Sequence, residues 1–138
     1  MPATSLPNRI LVVDDDAAIL QMIEAVLLPA GYRVLLADSA WEAIRLFQAE
    51  PQAIRLLVAD VVMPDLTGPV LAQRLLALQP DLNILFISGY HDSELVTRIA
   101  GQRSFGLLHK PFTMDGLLRA VRESLHEAEA PRSRASRS

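Results

Sequence analysis

An apolar run, ILVV, ends in three aspartates, Asp14, Asp15 and Asp16; a second, LLVA, ends in Asp60; a third, ILFI, ends in Ser88; and a fourth, LLH, is followed by Lys110 and Pro111. If these runs lie side by side, one edge collects carboxylates, a hydroxyl and an ammonium. The carboxylates of Asp14, Asp15 and Asp60 would repel one another strongly unless a positive charge sat between them. A hard divalent cation answers that need, and magnesium in particular takes one or two carboxylates together with waters and phosphate oxygens. With such an ion in place, the Asp60 carboxylate could attack a phosphoryl group already activated on another molecule and form an aspartyl phosphate. The charge on the three oxygens in transfer is what a metal, the Lys110 ammonium and the Ser88 hydroxyl are suited to stabilise. Each residue alone has a plainer reading: Asp16 as a helix cap, Ser88 as the start of a loop, Lys110–Pro111 as a turn, Asp14 and Asp15 as a solvated strand end. Their joint occurrence at four run ends is what favours the chemistry.

The elements that must position them follow from periodicity. Short apolar runs at residues 10–13, 33–37, 56–59, 84–87 and 107–109 alternate with stretches of helical period, the pattern of a parallel sheet with helices on both faces. In such sheets ligands bind beyond the carboxyl ends of the strands, where all the residues above fall. The first helix spans residues 17–28, with Ile19, Leu20, Ile23, Val26 and Leu27 on one face, Asp16 as N-cap and Gly31 as stop. Ser39 and Glu42 form a capping-box signature ahead of Ile44, Leu46 and Phe47, so the second helix runs to Gln48. Pro69 suits the first turn of a third helix ending at Leu78. A short fourth helix is expected over residues 93–100, and a fifth, capped by Thr113, presents Leu117, Leu118, Val121 and Leu125 before Ala128.

Composition narrows the class. The 138 residues, 51% of them hydrophobic, suffice for one sizeable core and hardly for two. Thirteen basic against 16 acidic residues give a formal charge of -3, which leaves no electrostatic footprint for nucleic acid. The absence of cysteine excludes disulfides, thiolate metal sites and cysteine nucleophiles. No apolar stretch is long enough for a membrane span, and MPATSLPNR lacks the apolar run of a signal peptide, so the expected location is cytoplasmic. The expected organisation is an N-terminal extension at residues 1–7, one domain at 8–128, and a disordered basic tail at 129–138 that contains PRSRASRS.

Four segments, ILVVDDD, VADVVMPDLTG, ILFISG and LLHKPF, in this order resemble the signature segments of response regulator receiver domains of two-component signalling. The resemblance covers residues 8–128. It implies a flavodoxin-like α/β fold: a doubly wound, five-stranded parallel sheet of order 2-1-3-4-5 with five helices. It also implies that Asp60 is the phosphoacceptor, that Asp15 and Asp60 ligate Mg2+ (or Mn2+ in its place) together with the backbone carbonyl of Val62, and that Asp14 acts mainly through water. Ser88 takes the place of the hydroxyl residue that grips the phosphoryl group. Lys110 takes that of the bridging lysine, its bond to Pro111 expected cis, and Gly68 turns the loop into the third helix. One departure is Leu107, where many receivers place an aromatic residue that follows the hydroxyl residue's state; the resemblance does not carry an aromatic-coupled switch over to this position.

The resemblance further implies a sensor histidine kinase or histidine phosphotransfer protein as donor. It implies output through the face of the fourth helix, fifth strand and fifth helix (residues 93–128), toward a downstream protein or a second copy. Since no further domain follows Ala128 in this sequence, output by docking is expected, with no nucleic-acid or membrane partner. VVMPDLTGP with ISGY looks most like receivers of hybrid sensor kinases, and a free-standing regulator is the other possibility. The chain is not expected to be an enzyme beyond its own phosphorylation and dephosphorylation. A phosphatase with an aspartyl nucleophile would carry it after the first strand and would need a cap domain. A flavin carrier would need a Ser-, Thr- or Gly-rich loop where DDD stands. A histidine phosphotransfer module would be a helical bundle, whereas His91, His109 and His126 fall in a loop, a strand and the last helix. Tyr90, two residues past Ser88, either shields the phosphoryl group from water or only packs the loop. Shielding predicts faster dephosphorylation of Tyr90→Ala, followed by loss of phosphoprotein over time; an unchanged rate leaves packing alone.

Overall fold

The computed structural model describes residues 9–89 and 105–129. The helix expected over residues 93–100, Tyr90, His91 and the segments 1–7 and 130–138 lie outside them. The elements are β1 (Arg9–Val13), α1 (Ala17–Leu27), β2 (Arg33–Ala37), α2 (Ala40–Ala49), a 3-10 turn at Pro51–Ala53, β3 (Ile54–Asp60), α3 (Gly68–Leu78), β4 (Asn83–Ser88), β5 (Gly106–His109) and α4 (Met114–Glu129). The strands are all parallel, in the order β2-β1-β3-β4-β5. This is the flavodoxin-like arrangement expected from the sequence, with α4 standing where the fifth helix was expected.

The strands are apolar at nearly every position because both sheet faces are covered, and alternate residues feed two different cores. Leu11, Val13, Leu57, Ala59, Ile84 and Phe86 pack with Ala40, Ala43 and Phe47 of α2 and Leu71, Ala72 and Leu75 of α3. Ile10, Val12, Leu56, Val58, Leu85 and Ile87 pack with Leu20, Ile23 and Leu27 of α1 and Leu117, Val121 and Leu125 of α4. The central strands β1, β3 and β4 are almost wholly buried, whereas the edge strands β2 and β5 are largely half-exposed or exposed.

Caps place the helix starts. Asp16 accepts from the Ala18 N–H at 2.9 Å, Ser39 from Glu42 at 3.1 Å, Thr67 from Val70 at 3.3 Å and Thr113 from Gly116 at 2.9 Å. The Glu42 carboxylate is held by Arg45, at 2.6 Å from its NH2 group. Gly31 has φ 101°, a left-handed conformation, and lies just past the end of α1.

Because Leu57 is fully buried and Leu78 is 47% exposed, truncating them should separate core from surface. Leu57→Ala is expected to cost about 3 kcal/mol and Leu78→Ala less than about 1 kcal/mol, measured as shifts in the urea midpoint at constant slope.

Candidate functional site

Strand register brings the site together. Val13 pairs with Ala59, Asp60 with Ile87, and Ser88 with His109, so Asp14, Asp60, Ser88 and Lys110 emerge at one edge of the sheet. Backbone bonds carry the ladder one step further: the Asp14 N–H donates to the Ala37 carbonyl at 3.2 Å, Val61 to Ile87 at 3.0 Å, and Lys110 to Ser88 at 2.8 Å. The Lys110–Pro111 bond is cis, as expected.

The Lys110 ammonium donates to Asp60 Oδ2 at 3.3 Å and lies 3.9 Å from Asp14 Oδ2. Asp60 Oδ1 accepts from the Val62 N–H at 3.3 Å, and Asp14 Oδ1 from the Asp16 N–H at 2.8 Å. Asp14 and Asp60 are buried, 1% and 6% exposed, while Asp15 is exposed. One carboxylate oxygen from each of Asp14, Asp15 and Asp60 falls within 4.8 Å of the others.

Burial raises the Asp14 carboxyl from 3.8 to about 6, and the nearby Asp60 carboxylate adds to it, against the opposing pull of the Asp16 N–H and Lys110. Burial likewise raises Asp60, partly offset by Lys110. Burial lowers Lys110, but Asp60 and Asp14 outweigh it and hold the ammonium above its ordinary range. Among the described residues a single ammonium thus stands beside three clustered carboxylates, within ion-pair distance of two of them. Asp14 Oδ2 is moreover buried without a hydrogen-bond partner among the described residues. An orphaned, buried anionic oxygen is costly, and a divalent cation with its waters is the group that fits this donor set.

The remaining expected residues are placed differently. Ser88 is fully buried at the end of β4, and among the described residues its hydroxyl donates to the Gly89 carbonyl at 3.1 Å. Val62 is 53% exposed in the loop after β3. Leu107 lies on β5 opposite Phe86 and is 37% exposed. Asp16 caps α1, in keeping with its plainer reading. Gly68 begins α3 for a spatial reason: a Cβ there would lie 2.4 Å from the Asp60 carbonyl oxygen, and the Gly68 N–H donates to Val61 at 2.7 Å. Sequence reasoning missed Asp65, whose carboxylate accepts from the Ala40 N–H at 3.2 Å and the Trp41 N–H at 3.0 Å. Its partners lie 25 and 24 positions away, beyond the reach of any local pattern.

The fold is flavodoxin-like, with a carboxylate–lysine cluster at the carboxyl edge of its sheet. Residues 10–122 match the model of the response regulator receiver domain, and the chain belongs to that family. Receiver domains are signalling domains, and they bind Mg2+ at an aspartate cluster. The chain is 34% identical over 118 residues to the response regulator receiver protein CpdR of Brucella abortus, covering 86% of this chain and 97% of that protein. It is 33% identical over 120 residues to the sensor kinase CckA of the same organism, covering 87% of this chain but only 13% of the kinase. Among solved structures, a receiver domain protein from Clostridium thermocellum superposes with TM-score 0.83 at 28% identity, covering 88% of this chain and 97% of that one. A receiver domain protein from Methanospirillum hungatei gives TM-score 0.81 at 30% identity, covering 91% and 98%. No helix among the described residues is long and apolar enough to cross a membrane.

A raised carboxyl pKa in the fold is a cost that is fully present above the folded value and is relieved as pH falls through it toward the unfolded value. With metal chelated, Asp14→Asn should therefore stabilise the chain by about 2 kcal/mol at pH 7, and the gain over wild type should shrink by pH 5. Urea unfolding of both proteins at the two pH values checks this; a variant less stable than wild type at pH 7 would contradict it.

Proposed function

We propose that this receiver domain is the phosphoacceptor switch of a two-component phosphorelay, taking a phosphoryl group on Asp60 from a histidine kinase or a histidine phosphotransfer protein. The observation that carries the reading is the Lys110 ammonium bonded to Asp60 Oδ2 beside the orphaned Asp14 Oδ2, all at the sheet edge. Asp15, Asp60 and the Val62 carbonyl would hold Mg2+ or Mn2+ directly and Asp14 through water. The bound ion would neutralise charge between the carboxylates and on the incoming phosphoryl oxygens.

An Asp60 carboxylate oxygen forms the new bond to phosphorus while the bond from phosphorus to the donor's imidazole nitrogen breaks, the electron pair leaving with the nitrogen. Lys110 keeps its proton, since two carboxylates favour the charged form, and it exchanges part of its contact with Asp60 for a phosphoryl oxygen. The Ser88 hydroxyl leaves the Gly89 carbonyl to donate to another phosphoryl oxygen, a local event suited to switching because the group is otherwise fully buried. Apart from this self-modification the chain has no catalytic role, and it works in the cytoplasm. Likeness to CpdR favours a free-standing regulator and likeness to CckA a receiver within a hybrid kinase. In either setting the output surface lies within residues 93–128, toward a protein partner or a second copy.

Incubation with acetyl phosphate and Mg2+ should add one phosphoryl group to the wild-type intact mass. The gain should be absent with chelator and in Asp60→Ala. No gain in wild type under any condition would overturn phosphoacceptance and with it the roles given to Ser88 and Lys110.

A further inference from the structure

Asp65 lies midway along the loop that carries Asp60 into α3, yet its carboxylate is spent on a different helix. Oδ1 accepts from Ala40 at 3.2 Å and from its own neighbour Leu66 at 3.0 Å, and Oδ2 accepts from Trp41 at 3.0 Å. Ala40 and Trp41 open the first turn of α2, whose local cap, Ser39, already takes the Glu42 N–H at 3.1 Å. Two residues from distant parts of the chain therefore share the free N–H groups of one helix end. Charge-assisted bonds of this kind are stronger than neutral ones, and a carboxylate is further favoured at a helix N-terminus. Burial would raise the Asp65 carboxyl, but the Trp41 and Ala40 N–H groups outweigh it and keep it below the usual carboxylate range. Arg74 of α3, with its guanidinium carbon 5.1 Å from the Trp41 ring centre, ties the same turn of α2 to the helix on the far side of the loop.

Since Ser39 serves α2 from within, the added consequence of Asp65 falls on the loop. The Met63 side chain is buried in the core and the Val62 N–H bonds to Asp60 Oδ1, but Val62 itself is 53% exposed and Pro64 has no N–H to donate, so what Asp65 adds is a tie from this stretch to α2. We propose that Asp65 is a positioning residue of the site: anchored on the first turn of α2, it fixes the loop backbone that presents the Val62 carbonyl and thereby sets the affinity for the divalent ion. This rests on the metal-binding reading given above.

The test compares Asp65→Ala and Asp65→Asn with Ser39→Ala in the full chain, by amide hydrogen exchange of residues 61–67 without metal and by calorimetric titration with Mg2+. Asp65→Ala should speed exchange in the loop about tenfold and weaken Mg2+ binding about tenfold, as loss of an outer positioning group does at other metal sites. Asp65→Asn, which keeps one acceptor oxygen, should fall between Asp65→Ala and wild type, and it stands in should the alanine variant not fold. Ser39→Ala should lower the melting temperature while leaving loop exchange and Mg2+ affinity within about twofold of wild type, because it removes a cap from the same helix without touching the loop. Loop exchange unchanged in both Asp65 variants, or Ser39→Ala reproducing their effects, would overturn the proposal. Failure of wild type to bind Mg2+ would overturn the metal reading and the affinity role with it, whereas wild-type binding that Asp65 substitution leaves intact would overturn the affinity role alone.

Discussion

The parallel pairing of β1 with β3 forces two buried carboxylates to emerge side by side. With Val13 opposite Ala59, the chain has no choice but to set Asp14 next to Asp60 at the carboxyl end of the sheet, where both are almost fully buried. Neighbouring buried anions oppose folding. The surrounding structure answers in part: an N–H from Asp16 on one oxygen of Asp14, an N–H from Val62 on Asp60, and one ammonium from Lys110 reaching both. Among the described residues the answer is partial, since one ammonium stands beside three clustered carboxylates and Asp14 Oδ2, though 3.9 Å from Lys110, accepts no hydrogen bond. The three clustered carboxylates are a donor set that suits a divalent cation.

Such a cost is tolerable only in a scaffold rigid enough not to relax around it. The two cores supply that rigidity by clamping the same strands from both sides, with α2 and α3 on one face and α1 and α4 on the other. The strands that deliver the carboxylates, β1 and β3, are with β4 almost wholly buried, so the edge residues inherit their positions from a well-packed part of the molecule. The lysine arrives on β5, an edge strand that is half-exposed, and is itself about a third exposed. Rigid carboxylates and a more accessible ammonium suit a centre in which the acceptor must stay put while its counter-charge follows the arriving group.

Much of this was legible in the sequence because it depends on local chemistry or on period. Continuous apolar runs revealed strands covered on both faces, and Asp16, Ser39 and Thr113 revealed helix starts because a cap binds within its own turn. The residues of the site were legible for a related reason: they close strands, and in a parallel sheet all strand ends of one sense meet. Features without local signature were not. Gly68 reads as a turn residue, yet what it provides is room beside the Asp60 carbonyl, a packing fact that no spacing encodes. The 3-10 turn at Pro51–Ala53 and the start of β3 at Ile54, two residues before its apolar run suggested, carry no local sequence signature. Asp65 was invisible for the plainest reason, that its partners are set by the packing of α2 beside the loop.

The contrast between Ser39 and Asp65 bears on how a switch of this kind stays specific. Both satisfy the same helix end, but a cap drawn from the helix's own flank only makes the helix more stable. A cap drawn from the phosphoacceptor loop makes the position of that loop depend on the position of the helix, and the reverse holds by necessity, since any coupling between two sites acts equally in both directions. If Asp65 positions the loop as proposed, binding between Asp14, Asp15 and Asp60 would bear through it on the first turn of α2, where Trp41 meets Arg74. The path open to such coupling is a single carboxylate, Asp65, bonded to the Ala40 and Trp41 N–H groups of α2.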